Sequence, residues 1–325
     1  MEYIEFINKE TYNTILDGIN RETRNSIPQC YYVSANMGYG KTNLLHRLEN
    51  TINYDLFQPI YIDSILNPIP DEEKLEEIVL RDKSNKRVVF LLDNAHYLLE
   101  NWSSNELAKL RALIYNPGAP IIVFAGKRVI KAFADYSSPL YNSVLLLSLN
   151  NLTEEEQMAF IQSGCKRKQP NIQQISNIAN SLEPSILIMR LILRAIKNGC
   201  RKEEDIKKEA LSYFDVAFEN LLVTLSPNQL LIVVALLKAE SSCLLSDIVK
   251  ITNLKSSDIT SQIKRLEEKN LIEIIKWKPK KSLYQIKSKI FKEWYKLNVA
   301  STSALPSLRA ISSSSATPTK SLTTY

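Results

Sequence analysis

Residues 35–42 read Ala-Asn-Met-Gly-Tyr-Gly-Lys-Thr, and no other stretch limits the possible folds as sharply. An apolar run, Tyr31-Tyr32-Val33, precedes it, and a helical apolar pattern (Leu44, Leu45, Leu48) follows it. The segment therefore reads as strand, loop and helix, the context in which a Gly-x-Gly-Lys-Thr loop binds phosphate. Successive backbone N–H groups and the helix N-terminus then cradle a polyphosphate. On this reading Ala35, Asn36, Met37, Gly38, Tyr39 and Gly40 wrap the phosphates. Lys41 reaches the β- and γ-phosphates, and the Thr42 hydroxyl ligates Mg²⁺. The ideal pattern has glycine where this chain has Ala35. The loop argues for binding of a nucleoside triphosphate, ATP with Mg²⁺, and not by itself for its hydrolysis.

A second signal is Val88-Val89-Phe90-Leu91-Leu92-Asp93-Asn94. A strand that is apolar at every position is buried on both faces. Its terminal Asp93 would lie beside the phosphate loop and share the Mg²⁺ with Thr42. Any buried strand can end in aspartate, so the run is weak alone and gains weight from the Gly-Lys-Thr loop upstream. Asp93 and Asn94 are the candidate catalytic positions. Against this stands a coincidental Gly-Lys-Thr turn with no ligand.

Further strand-like runs occur at 30–34, 58–62, 119–125 and 144–149, with helix-compatible segments between them. That alternation predicts an α/β fold with a mostly parallel sheet over residues 1–150. After 150 the strand signals stop. Thr153-Glu154-Glu155-Glu156 reads as a capping box, and helices are expected at 153–163, 171–181, 184–198 and 203–224, an all-helical domain over 151–225. From 226 to 299 the order is three helices (226–239, 244–251, 256–270) and two strands (271–277, 282–286), the order of a winged helix-turn-helix. Residues 300–325 are Ser/Thr/Pro-rich, with too little apolar surface to offset their ordering entropy, and are expected to be disordered.

Charge separates these segments. Residues 226–300 hold 14 basic and 7 acidic side chains, whereas 1–150 hold 15 and 18. A surplus confined to one segment is the footprint of a polyanion-binding module; the bland alternative is a solvated lysine-rich surface. In helix 256–270, Ile259, Ile263 and Leu266 recur with core spacing. Ser257, Thr260, Ser261, Lys264 and Arg265 are then free to face double-stranded DNA, with Lys278, Lys280 and Lys281 of the wing on its phosphates. Four widely spaced cysteines and two histidines leave little material for a zinc site or disulfide framework. No apolar stretch spans a bilayer. The acidic N-terminus lacks a signal peptide's pattern, so a cytoplasmic, nucleoid-associated protein with no membrane partner is expected.

The order of motifs resembles the archaeal P-loop ATPases of the AAA+ and STAND kind, including origin-recognition initiators. These pair a parallel-sheet P-loop NTPase domain and an all-helical lid with a C-terminal winged helix. Phe6-Ile7-Asn8-Lys9-Glu10 is similar to the family's opening box, which lies by the nucleotide base. Ser138-Pro139-Leu140-Tyr141-Asn142-Ser143 resembles its Ser-Pro-Leu-Tyr-Gly-Arg box. Leu152-Thr153-Glu154-Glu155-Glu156 matches the lid entry. The resemblance implies a nucleotide-switched DNA-binding protein able to homo-oligomerise. It also exposes departures: Asn94 stands where a second carboxylate polarises water, Ser143 where the box arginine stands, and Ser185 where initiators place a sensor arginine. Together with Ala35 these imply weak or absent hydrolysis. Strand four ends in Ala125-Gly126-Lys127-Arg128, where the resemblance implies a polar sensor that Lys127 or Arg128 would supply, and Arg111 and Arg128 are candidates for an arginine acting on a neighbouring subunit. An active ATPase of a signalling, defence or mobile-element system, its winged helix contacting protein, is the alternative; an inert scaffold is a third.

Overall fold

The computed structural model describes residues 7–69, 71–81, 85–127, 130–164, 171–239, 241–278 and 281–298. The chain forms two compact units, Met1–Ser176 with Pro184–Arg190, and Asn177–Glu183 with Leu191–Tyr325.

The first unit runs α1 (Lys9–Arg21), β1 (Tyr31–Ser34), α2 (Lys41–Thr51), β2 (Phe57–Asp63), α3 (Glu72–Arg81), β3 (Arg87–Asp93), α4 (Ala95–Asn101), α5 (Ser104–Ile114), β4 (Ile121–Gly126), α6 (Lys131–Ala134), β5 (Leu145–Ser148) and α7 (Glu154–Gly164). Among the described residues the strands form one sheet in the order β2-β3-β4-β1-β5, each adjacent pair parallel. This is the α/β class expected from the alternation of strands and helices.

Every residue of β3 and β4 is buried, because both faces of the sheet are covered. Alternate side chains enter different cores. Val89, Leu91 and Val123 pack with Ile15 and Ile19 of α1 and Leu44, Leu45 and Leu48 of α2. Phe90, Leu92 and Phe124 pack with Leu98, Leu110 and Phe133 on the other face. Full burial of such a side chain contributes about 1.5–3 kcal/mol, so the sandwich fixes where each strand ends.

At the opposite edge from the phosphate loop, Arg87 is 5% exposed. Its guanidinium donates to the carbonyls of Ala119, Thr23 and Ser26, to the Ser26 hydroxyl and to Glu22. One side chain thus ties the turn after α1 to the starts of β3 and β4. Burial pulls its pKa down, with Glu22 opposing.

The chain continues through α8 (Ile172–Leu182) and α9 (Ile186–Lys197) into α10 (Glu203–Leu211) and α11 (Asp215–Val223). The single helix expected over 203–224 is interrupted by a 3₁₀ turn at Ser212–Phe214. There Ser212 Oγ donates to the Glu209 carbonyl at 2.8 Å, a local bond that competes with regular helix, and Phe214 stacks on Phe218.

The second unit ends with α12 (Pro227–Lys238), β6 (Cys243–Leu244), α13 (Leu245–Thr252), α14 (Ser256–Glu268), β7 (Ile272–Lys278), β8 (Lys281–Ile286) and α15 (Lys289–Asn298). Ser226 and Gln229 close a capping box at the start of α12, with Pro227 at its first turn. The strands form an antiparallel sheet, β6-β8-β7. The three helices and the hairpin follow in the order that the sequence pattern predicts; the short β6 is an addition that the pattern hid. Trp294 of α15 donates to Asp215 at 2.7 Å and packs on Phe218. Cys30, Cys200 and Cys243 are free thiols. Phe6, Arg128, Cys165, Lys280 and the tail 300–325 lie outside the described residues. Among the described residues no helix is long and apolar enough to cross a membrane.

Arg87→Ala strips a buried cation from Glu22 and removes the side-chain donor to the Ala119 carbonyl. The expected loss is about 3–5 kcal/mol, or roughly 6–20 °C in Tm for a unit of this size. Thermal unfolding followed by circular dichroism measures it.

Candidate functional site

The phosphate loop leaves β1 with Ala35 N–H donating to the Gly126 carbonyl at 3.1 Å, so it crosses the end of β4. Gly38 and Gly40 take φ of 87° and 94°, the left-handed region that favours glycine. A Cβ on Gly38 would lie 2.6 Å from Leu187 Cβ, and one on Gly40 2.3 Å from Ile186 Cδ1. The Leu187 N–H donates to the Gly38 carbonyl at 3.0 Å. The first turn of α9 is therefore seated on the loop.

Ala35 departs from the ideal pattern without strain. Its φ is not positive, and its methyl is buried in the core with Val33, Leu44 and Leu45. A Cβ at this position fills a packing site rather than obstructing the loop.

Lys41 is buried and donates to the loop's own carbonyls, Ala35 at 2.8 Å and Asn36 at 2.9 Å. Burial lowers its pKa to about 8, Asp93 opposing the shift and Lys127 adding to it. Thr42 Oγ1 donates to Asp93 Oδ2 at 2.5 Å, and Tyr61 donates to the same oxygen at 3.2 Å. Burial, then Asp93, raises the Tyr61 pKa, so the phenol stays a donor. Thr42 and Asp93 are hard oxygen donors side by side, which fits Mg²⁺ held by one carboxylate, a hydroxyl and phosphate oxygens. Among the described residues no group of three or more His, Cys, Asp or Glu could hold a metal by itself.

These side chains line a cleft of about 400 Å³ with Met37, Gly38, Gly40, Asn43, Ile65, Asn94, Tyr97, Lys127, Ile186, Leu187 and Arg190. All lie in the first unit. The structure thus brings together Met37, Gly38, Gly40, Lys41, Thr42, Asp93 and Asn94 of the expected set. Lys127, one of the two candidates for the polar position after β4, lines the cleft; Arg190 was not legible as a site residue. Lys127 follows β4 and donates to Tyr97 Oη at 3.3 Å. Arg190 sits one turn into α9, whereas Ser185 accepts the Ile188 N–H at 3.3 Å as a helix cap.

The base-side box is represented by Asn8, whose Nδ2 donates to the Tyr39 carbonyl at 3.3 Å and whose N–H donates to Glu156 at 2.8 Å. Tyr39 reaches Asn151 at 2.7 Å. Asn142 takes a left-handed φ of 54° where the family box has glycine. Arg111 donates to the Pro139 and Tyr141 carbonyls and to Ser143 Oγ, so α5 supplies an arginine beside that box. His96 is 6% exposed and packs on Tyr97; it does not line the cleft. His46 stacks on Tyr61 and meets Glu49 at 3.0 Å.

In the second unit α14 buries Ile259, Ile263 and Leu266 and exposes Ser257, Thr260, Ser261, Lys264 and Arg265. Thr260 Oγ1 donates to the Ser256 carbonyl at 2.9 Å, and Ser261 Oγ to the Asp258 carbonyl at 2.8 Å. Lys278 and Lys281 are paired across the hairpin. Lys255, at the α14 N-cap, is exposed too and escaped the sequence reading.

No family model matches the chain, and no curated protein matches it in sequence. Solved structures are similar to it. A Walker-type ATPase of Pyrococcus abyssi matches at 16% identity and a TM-score of 0.62, over 90% of this chain and 96% of that one. The Aeropyrum pernix Orc1 protein, solved in complex with DNA, matches at 12% identity and a TM-score of 0.50, over 91% and 94%. Identities this low carry the likeness of fold alone.

The lowered Lys41 pKa fixes a sign. Between about pH 8 and 10.5 the folded chain binds fewer protons than the unfolded one, so this group makes stability rise with pH there. A polyphosphate favours the charged ammonium. ATP binding at pH 8.5 should take up protons and weaken as pH rises. Calorimetry in two buffers of different ionisation enthalpy reads it.

Proposed function

We propose that this chain is an ATP- and Mg²⁺-binding switch that binds double-stranded DNA through α14 and the β7–β8 hairpin. The observation that carries the nucleotide half is the Thr42–Asp93 pair, set in one cleft with Lys41 behind two left-handed glycines. Thr42 and Asp93 would hold Mg²⁺, which neutralises phosphate charge. Lys41 gives up its bonds to Ala35 and Asn36 for phosphate oxygens, and Lys127 and Arg190 face the same anion. Ala35, Asn36 and Tyr39 complete the loop, and Phe6 is the residue offered to the base.

The first turn of α9 rests on the loop, and the helix continues beyond Arg190 through Lys197. A nucleotide that moves that turn has a covalent route to the rest of the chain. Homo-oligomerisation and action at the nucleoid, in the cytoplasm, belong to the same reading. So does a three-part division at 1–150, 151–225 and 226–299. Hydrolysis is slow, because Asn94 cannot take a proton from water.

The DNA half rests on the exposed Lys264 and Arg265, the hairpin lysines Lys278, Lys280 and Lys281, and the local surplus of 14 basic over 7 acidic side chains. The Orc1 protein in complex with DNA supports it. Ser257, Thr260 and Ser261 are small, and two of their hydroxyls are engaged on the helix backbone. That favours phosphate contacts over base reading. The same observation favours a second reading, in which α14 meets protein and the chain is an active ATPase.

Duplex affinity should fall steeply with salt, and Lys264→Ala should lower the slope of log K against log salt by about 1. Salt-independent binding sinks the DNA half. Calorimetry should find ATP binding that Lys41→Ala removes; no binding by folded wild type sinks the nucleotide half.

A further inference from the structure

Asn94 follows β3 with a left-handed φ of 54°, a conformation that asparagine adopts more readily than most residues. Its N–H donates to Asp93 Oδ1 at 2.8 Å, and its side-chain Nδ2 donates to Asp63 Oδ1 at 3.1 Å. Asp63 ends β2 in direct register with Asp93. The same Asp63 oxygen accepts the Ile65 N–H at 2.9 Å, which anchors it. An ionised carboxylate only accepts, so the Asn94 amide must turn its NH₂ toward Asp63. The opposite corner of that planar group is Oδ1, an acceptor to which no described residue donates. Asn94 lines the cleft that holds Lys41, Thr42 and Lys127.

We propose that Asp63 is a positioning residue that holds the Asn94 amide so that Asn94 Oδ1 orients the water attacking the γ-phosphate. This rests on the nucleotide-binding reading and says what sets turnover at that site. One O–H of the water donates to Asn94 Oδ1, which aims an oxygen lone pair at phosphorus. The water oxygen bonds to the γ-phosphorus, and the bond from that phosphorus to the β,γ-bridging oxygen breaks. Its electron pair leaves with ADP. The proton passes to a γ-phosphoryl oxygen, so the products are ADP and inorganic phosphate and no protein group changes charge. Without a base the reaction is slow, and its rate depends on how well the amide is held.

Asp63 also caps a turn, so the test must separate orientation from folding. ATP affinity and steady-state hydrolysis are measured on the full chain for wild type, Asp63→Leu, Asp63→Asn, Asn94→Ala and the Asp63→Leu/Asn94→Ala double variant. Asp63→Leu should lower kcat about 10- to 100-fold with ATP affinity unchanged. Asn94→Ala should fall by a similar factor, and the double variant should fall no further, because the two residues act as a unit. Asp63→Asn keeps an oxygen acceptor for Asn94 and should restore most of the Asp63→Leu loss. Losses that multiply in the double variant, an Asp63→Leu kcat equal to wild type, or kcat and affinity falling together would each overturn the proposal. So would wild-type turnover no higher than that of Lys41→Ala; ATP binding by that sample would leave the nucleotide-binding reading standing.

Discussion

The hydrogen bond from Thr42 to Asp93 exists because parallel strands deliver their C-terminal ends to one edge of the sheet. β4 lies between β1 and β3, so a loop leaving β1 must pass over β4 before α2 can present Thr42 to the end of β3. The bond from Ala35 N–H to Gly126 holds the loop on that path. The residue just past β4, Lys127, then falls into the same cleft. In open α/β sheets ligands collect at the carboxyl ends of strands for this reason. Two cores, one per face, fix the strand ends, and so the chemistry at that edge depends on apolar residues that never touch it.

The electrostatics of the cleft follow from the same geometry. Lys41 is buried and bonded to carbonyls of its own loop, which leaves its ammonium poorly solvated and its pKa lowered to about 8. Lys127 contributes to that lowering, and Arg190 lines the same space. Asp93 opposes the shift of Lys41. A cleft lined by three cations and one buried carboxylate is arranged for a polyanion that brings its own counter-ion.

How much of this was legible in the sequence depended on whether a feature is local. The Val88–Asp93 strand could be read because burial on both faces leaves an unbroken apolar run, and the loop could be read because its glycines, lysine and threonine are contiguous. The core face of α14 was legible from the spacing of Ile259, Ile263 and Leu266. Lys127 could be named only as one of two candidates after β4, and Arg190 and Asp63 were not legible, since one enters the cleft through the packing of α9 and the other meets Asn94 through sheet order. The two-residue β6 carries no period of its own, and the break at Ser212–Phe214 comes from a side-chain bond that apolar periodicity does not report. The positions of Thr260 and Ser261 were right on the helix face, but their hydroxyls turn to the backbone, which spacing cannot reveal.

Ala35, Asn94, Ser143 and Ser185 looked in sequence like four signs of one loss. The structure separates them. Ala35 fills a core site at a position with no left-handed backbone, so its missing glycine costs the loop nothing visible. Ser185 caps α9, and Arg190 on the next turn lines the cleft. Beside Ser143, Arg111 bonds to two carbonyls of the box and to the serine itself. Asn94 is the one of the four that lines the cleft and bonds to Asp93, the proposed metal ligand. An amide there removes the proton acceptor and keeps a directional oxygen. On the proposed reading, hydrolysis would therefore depend on how this one amide is held, and the carboxylate of Asp63 holds it at 3.1 Å.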